Sequence, residues 1–451
     1  MSDFTELAIA GRVATPSEPD WDEARVAWNL AAEQSPSAVV FVENAEDIAA
    51  AIRFASRHDL RVAGQGTGHG AVAMGPLDDT ILVKTERMRG IEIDPDAQTA
   101  RVEAGVLVLE LSEAAQKHGL CSMPGSAPDV GVTGYTLGGG LSWLGRRHGF
   151  ACNRVSAIEL VTADGEARTV DAESDPDLFW ALRGGGGNYA IVTALHLDLL
   201  PIAELYAGAL LYPAEVGAEA VRAYRDWAAD VSEDVTSIVR FIRPPDLPDV
   251  PEPLRNRGLL TIDAACIGSE ADGEAATAPL REIGEPIMDT FGQIPAEGLC
   301  RIHMDPEQPV PGLGHHQVID ELPDEAIAAF ADLAEPDGSP LLLAELRQLG
   351  GALGRDDADG GALSALDADF VMLGIGLPMT PELGEAIGSH LDRLHEAMQP
   401  WAADGGYFNF AERPCDADAI LSPDVCARLG EVKRRYDPDG IFQANHELAL
   451  G

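Results

Sequence analysis

Residues 64–71 read "GQGTGHGA": Gly64, Gly66, Gly68 and Gly70 fall at alternate positions, and His69 stands between the last two. Glycine has no side chain to hold a ligand off the backbone and reaches left-handed conformations freely, so such a run lets successive N–H groups converge on an anion. Two more clusters follow, "GVTGYTLGGG" at 131–140 and the four glycines 184–187. One cluster alone serves a tight turn. Three together point to an elongated ligand gripped along its length by main-chain donors, and a diphosphate is the group such a nest suits. His69 adds a different capacity, because a neutral imidazole is nucleophilic near neutral pH while its second nitrogen can be held by a hydrogen bond. Farther on, Glu345 and Arg347 alternate with Leu346 in "LLLAELRQLGG" and so share one face of a strand. They floor a cavity or form a solvated salt-bridge face; spacing does not decide which.

The first cluster is not a dinucleotide-binding fingerprint. Its glycines alternate instead of following GxGxxG, and "AVAMGPLDDTILVK" after them reads as loop and strand. A βαβ unit needs an amphipathic helix there to present its N-terminus to the pyrophosphate.

The elements that must position these residues are legible in part. "AVVFVE" (38–43) reads as a strand, and Asn44 as the N-cap of a helix with Asp47 three positions on; Ile48, Ala51, Ile52 and Ala55 recur at helical spacing. "RVAG" is a strand running into the glycine loop. "TILVK" follows, then a strand pair turned at Pro95-Asp96 and a helix from Leu107 to His118 ended by Gly119. A hairpin turns at Asp164-Gly165, and Asp175-Pro176 opens a short helix. After Pro201 the texture changes. Residues 204–405 alternate strands ("LLTIDAACIG", "PLLLAELRQL", "DFVMLGIGLP") with helices ("PDEAIAAFADLA" and "TPELGEAIGSHLDRLHEAM", the latter capped by Thr380), between Pro-rich loops at 244–253 and 305–311. The reading is α+β throughout, with a second α+β domain at 204–405 inserted before a closing segment, 406–451.

A chain of 451 residues is too long for one core. The 31 Lys and Arg against 75 Asp and Glu give a formal charge of −44. Such a surface repels phosphate backbones and anionic membranes, which excludes nucleic acid and membrane surfaces as partners. The N-terminal twenty residues carry no basic or apolar signal-peptide region, so the expected location is the cytoplasm. Six scattered cysteines without a CxxC pair argue against a metal site and a disulfide framework. His315 and His316 are expected on an exposed loop.

The motifs "TGHGA", "GVTGYTLGGGLSWLGRRHG", "LFWALRGGGGNYAIVT" and "YFNF…YDPDGIFQANHEL", in this order, resemble the FAD-linked oxidases of the vanillyl-alcohol-oxidase superfamily, with PCMH-type FAD-binding domains, and specifically the berberine-bridge-enzyme-like group. The resemblance covers nearly the whole chain. It implies an FAD-binding domain at 1–203 (core about 34–203), a substrate domain with an antiparallel sheet at 204–405, and a segment, 406–451, completing the flavin site. Gly64, Gln65, Gly66, Thr67, Gly68 and Gly70 would cradle the FAD pyrophosphate, and His69 would bond to the flavin 8α-methyl. Gly125, Ser126, Val130, Gly131, Thr133 and Gly134 would line the cofactor from the second cluster, with Leu137, Gly138, Gly139 and Gly140. Gly186, Gly187, Asn188, Ile191 and Val192 would do so from the third, and Tyr407, Asn409 and Asn445 from the closing segment. Ala127 stands where relatives carry a second, cysteinyl tether, so a single histidyl link is expected. Val130 would sit beside C4a and gate oxygen.

By the same resemblance, hydride would pass from a substrate C–H (alcohol, sugar or secondary-metabolite carbon) to flavin N5, and O2 would take the electrons as hydrogen peroxide. Tyr407 is the first candidate for the base, with Tyr135 and Glu345 in reserve; Phe410 replaces a tyrosine of the family's motif. A dehydrogenase or oxidative cyclase with another acceptor, and a flavin-binding scaffold without turnover, are the competing readings. Substrate identity and oligomeric state are not written in these motifs.

Overall fold

The computed structural model describes residues 3–246 and 250–448; part of the Pro-rich 244–253 loop lies outside them. Three sheets organise the chain. The first holds five strands in the order Arg12–Ala14, Ala38–Phe41, Thr80–Lys84, Arg61–Gln65 and Phe442–Gln443. Its last member comes from the far end of the sequence and pairs in parallel with Arg61–Gln65, the strand that feeds the first glycine loop. Helix Ala45–Arg57 covers it, with Asn44 accepting from Asp47 N as N-cap, a contact worth about 1 kcal/mol. Asp47 in turn accepts from the amides of Ala10, Gly11 and Glu43, tying the N-terminal strand to the helix start. The second sheet is antiparallel, ordered Ile91–Asp94, Thr99–Glu103, Ala190–Asp198, Val155–Thr162 and Ala167–Val170.

The third sheet is an eight-stranded antiparallel one, built from residues 204–376. Side chains alternate across it. On strands Val235–Ile242, Leu259–Cys266, Leu343–Gln348 and Phe370–Gly376, one set (Val239, Phe241, Leu260, Ile262, Ala344, Leu346, Phe370, Met372) packs under helices Gly217–Asp230, Asp324–Ala334 and Pro381–Met398. The opposite set carries Arg240, Thr261, Asp263, Leu343, Glu345, Arg347 and Leu373. Register places Arg240 across from both Glu345 and Thr261, and Glu345 across from Leu373. Antiparallel pairing thereby gathers the polar members of separate strands on one buried face.

Two expectations need correction, and the second glycine cluster holds an element of its own. A one-turn helix, Ala71–Met74, follows the first glycine loop where loop and strand were expected, entered through Gly70 without a side-chain cap. Helix Val132–Leu137 runs inside the second cluster, so Tyr135 is a helical residue. His315 and His316 lie on strand Leu313–Ile319, paired with Phe370–Gly376; His316 Nε2 accepts from Tyr407 N at 2.9 Å and His315 stacks on His395 at 4.3 Å. The six cysteines are all free, and no group of metal-ligating residues occurs among the described residues. No helix of the described residues is long and apolar enough to cross a membrane.

Candidate flavin and substrate site

Two chambers, of about 190 and 360 Å³, meet at Gly64, Gln65, Gly66, Gly134 and Asn445. The smaller one is walled by Thr133, Leu137, Gly138, Gly186, Gly187, Asn188, Ile191 and Val192. The larger is walled by Thr67, Gly68, His69, Gly70, Gly125, Ser126, Val130, Gly131, Tyr135, Glu345, Tyr407 and Asn409. Nearly every residue singled out in the sequence therefore faces one continuous groove. Gly139 and Gly140 line neither chamber. Both have positive φ, and a Cβ on either would collide with Leu363 or Ala151, so they serve a turn and a close approach behind the site.

The residues fit a flavin nucleotide. Both amide atoms of Gln65 and Thr133 Oγ1 are buried without a hydrogen-bond partner in the protein, and buried polar groups ordinarily have one. A Cβ added at Gly134 or Gly187 would meet nothing within 4 Å; these positions are bare toward the groove and not packed by their neighbours. The closing segment seals the groove through contacts distant in sequence. Asn445 Nδ2 donates to Gly70 O at 2.7 Å. Lys433 donates to Asn188 O, Asp437 Oδ2 and Phe442 O, fixing the third cluster against the last strand.

At the border of the larger chamber, Tyr407 Oη accepts from Leu141 N at 2.7 Å and from Asn409 Nδ2 at 3.0 Å. Two donors occupy both lone pairs, so the phenol has only its own O–H to offer. Burial pushes its pKa well up, against those two donors. Tyr135 is tied by its Oη to Met123 O at 3.0 Å, and its ring packs beneath Gly125 and Gly140.

Glu345 is fully buried, not solvated. Arg347 Nε approaches Oε1 at 2.5 Å and His303 Nε2 approaches Oε2 at 3.0 Å. Burial pushes this carboxyl up, yet Arg347 and His303 outweigh it and hold the pKa at about 2. Both oxygens are committed. Asp305 takes the other nitrogen of His303 at 2.7 Å; burial and Arg240 push the imidazole pKa down, and Asp305 and Glu345 outweigh them and raise it above the ordinary histidine value. The Arg347 guanidinium also lies over the Phe410 ring, 4.9 Å from its centre.

Three wall residues, Trp28, His303 and Asp305, and Asp129 behind His69 carried no usable sequence signal. Asp305 opens the Pro-rich stretch that reads as loop, and His303 lies just before it. Trp28 and Asp129 flank His69 but come from unrelated segments. Glu412 had one: it follows Asn409 by three positions in the closing motif. Its Oε2 is buried and unpaired beside the chamber, and burial raises its pKa to about 7, against a hydrogen bond from the Gly314 backbone.

This arrangement of fold and groove defines an FAD-linked oxidoreductase, and comparison with known proteins agrees. The FAD binding domain family model matches residues 36–171. An uncharacterized FAD-linked oxidoreductase of Bacillus subtilis (strain 168), YgaK, is 30% identical over a stretch covering 52% of this chain and 53% of its own. (R)-6-hydroxynicotine oxidase of Paenarthrobacter nicotinovorans is 26% identical over 98% of each chain. The structure of the glucooligosaccharide oxidase from Acremonium strictum, described as carrying a 6-S-cysteinyl, 8α-N1-histidyl FAD, superposes with a TM-score of 0.83 at 20% identity over 97% of both chains. The chain thus carries an FAD binding domain and shares its overall fold with the berberine bridge enzyme of Eschscholzia californica, whose structure superposes with a TM-score of 0.79 at 18% identity over 92% of this chain and 90% of that one.

Proposed function

We propose that the protein is an oxidase that removes hydride from a carbon bearing an OH or amine group of a small molecule, with O2 as electron acceptor and FAD held covalently through His69 alone. The observation that carries this is the continuous groove: glycine turns with unpartnered buried donors at one end, opening directly beneath the polar face of the third sheet at the other. FAD, held by the glycine turns and His69, would supply the two-electron acceptor that the reaction needs and pass those electrons on to O2.

The chain's own residues divide the remaining work. Leu343, Leu373, Ile375 and Leu377 wall the larger chamber and exclude water from it, which strengthens each polar contact inside. Glu412, with a free oxygen and a pKa near the working range, takes the proton that leaves the substrate heteroatom. Tyr407 donates a hydrogen bond into the chamber and accepts the proton only if its phenol is first ionised. Tyr135 and Glu345 position neighbours: Tyr135 supports the second glycine turn, and Glu345 aims Arg347. Ala127 offers no thiol, so one tether is the maximum on this wall.

Purified full-length protein is expected to show the visible absorption of flavin. Anaerobic mixing with a panel of alcohols, sugars and cyclic amines should bleach it with at least one compound, and air should restore it rapidly. Rapid bleaching followed by slow recovery in air would replace O2 with another acceptor. No bleaching by any member of a broad panel would favour a scaffold without turnover.

A further inference from the structure

His69 is fixed from three sides by three chain segments. Its imidazole stacks on the Trp28 indole, with ring centres 3.9 Å apart and planes 16° from parallel. Thr67 Oγ1 lies 2.7 Å from Nδ1. Nε2 lies 3.4 Å from Asp129 Oδ1, within ion-pair distance, and each of these buried atoms lacks a hydrogen-bond partner in the protein. The second oxygen of Asp129 accepts from Trp28 Nε1 at 2.5 Å. Turning the carboxylate away from the ring would leave the indole N–H unpaired. Trp28 is itself anchored, since its backbone N–H donates to Thr67 O at 2.9 Å. The turn at 125–131, the glycine loop and the segment around Trp28 thus hold one carboxylate against one ring nitrogen.

We infer that Asp129 is a positioning residue for flavin attachment: it keeps the imidazole proton on Nε2, leaves the free lone pair on Nδ1, and so selects Nδ1 as the nitrogen that bonds to the flavin 8α-carbon. The inference rests on the proposed histidyl link. A carboxylate opposite one ring nitrogen favours N–H there, and the other nitrogen then becomes the acceptor. Thr67 agrees with this assignment, because its hydroxyl donates to Nδ1 until the methyl group takes its place. In the attachment step one C–H bond of the 8α-methyl breaks, its proton leaves to solvent and its electron pair passes into the ring system. The Nδ1–C bond forms. The imidazole, which would otherwise carry a full positive charge, gives its Nε2 proton to Asp129 and from there to solvent. Dioxygen takes the two electrons and two protons as hydrogen peroxide, which leaves oxidised, tethered flavin and balances atoms and charge.

The test follows attachment itself and not turnover. Full-length apoprotein is mixed with FAD in air, samples are denatured in acid, and flavin fluorescence is read on the protein band; the linkage is then mapped on the flavin peptide. Wild-type protein should become labelled through Nδ1. In Asp129→Asn the indole N–H takes the amide oxygen and the amide NH2 faces Nε2, which moves the ring proton to Nδ1. Attachment should then slow by roughly 10²-fold or more, while undenatured protein still binds FAD, and Asp129→Glu should recover part of the rate. If Asp129→Asn does not accumulate, Trp28→Phe keeps the stacking and removes the N–H that orients the carboxylate; attachment in it should slow severalfold. Labelling of Asp129→Asn or Trp28→Phe at the wild-type rate, or a wild-type bond through Nε2, overturns the inference and leaves the histidyl link standing. Wild-type protein that binds FAD but never labels overturns both.

Discussion

Glu412 meets two requirements of a base that other polar groups of the chamber fail. It has an oxygen without a partner, and burial raises its pKa to about 7. Glu345 fails on both counts, with its oxygens committed and its pKa near 2. Glu412→Gln is therefore expected to lower kcat by about 10²–10⁴-fold with FAD still bound. In the parent protein kcat/KM should rise with pH and level off above about 7, because only the ionised form accepts a proton; the variant should lose that limb. Steady-state rates across pH 5 to 9, at about unit intervals, decide it. Residue by residue, the sequence exposed what local spacing can expose. Glu345 and Arg347 declared a shared face because strands alternate with period two. Arg240, Asp263 and His303, which complete their network, could not be linked to them, because strand pairing across a hundred residues brings them together and no local pattern records it.

At the scale of elements, the second glycine turn offers one position that substitution can probe without harming the fold. A side chain at Gly134 would meet no protein atom within 4 Å, and this residue sits inside a helix. Gly134→Leu should leave the melting temperature of apoprotein unchanged or slightly raised, since leucine favours helix over glycine by up to about 1 kcal/mol. Flavin content of the purified variant, read from its visible absorption, should nevertheless fall to near zero. Equal flavin content in variant and parent would mean that the groove is not where the cofactor lies. Elements with strong local signals were legible: the helix capped by Asn44, the one capped by Thr380, and the hairpin at Asp164-Gly165 all stand where their caps and turns place them. Glu204–Pro213, Val235–Ile242 and Leu313–Ile319 were not, because both faces of these strands are largely covered and their sequences lack clean alternation. The two histidines of the last strand looked like loop residues for that reason.

The whole molecule is held together by a few buried polar fasteners between distant segments. Lys433 is one: buried, charged, and bonded to Asn188, Asp437 and Phe442. Lys433→Met removes the cation and leaves Asp437 buried without it, a loss of about 3–5 kcal/mol. Urea unfolding should show that shift, and FAD should dissociate faster from any variant protein lacking the tether. His315 and His316 make a second, pH-dependent contribution. Burial depresses His316 to about 4 and His315 to about 3, with His446 and Arg413 respectively adding to it. Depressed pKa values mean that the folded state binds fewer protons than the unfolded chain, so stability is intact above the ordinary histidine value of about 6.5 and is lost as pH falls through 4 toward 3. Glu412 acts in the opposite sense, its smaller contribution fading as pH rises toward 7. Thermal melts from neutral to acid pH should steepen below about 6.5, and His316→Gln should flatten part of that fall.

Parallel pairing of Phe442–Gln443 with Arg61–Gln65, and the bond from Asn445 to Gly70 across 375 positions, set the timetable of biosynthesis. A ribosome adding about 5–20 residues per second needs roughly 20 to 75 s between emission of the glycine loop and of the residue that closes it. Throughout that interval the nascent polypeptide has half a cradle, so vitamin-derived cargo can be loaded only once the closing residues have emerged, and products stopped before them leave the ribosome colourless.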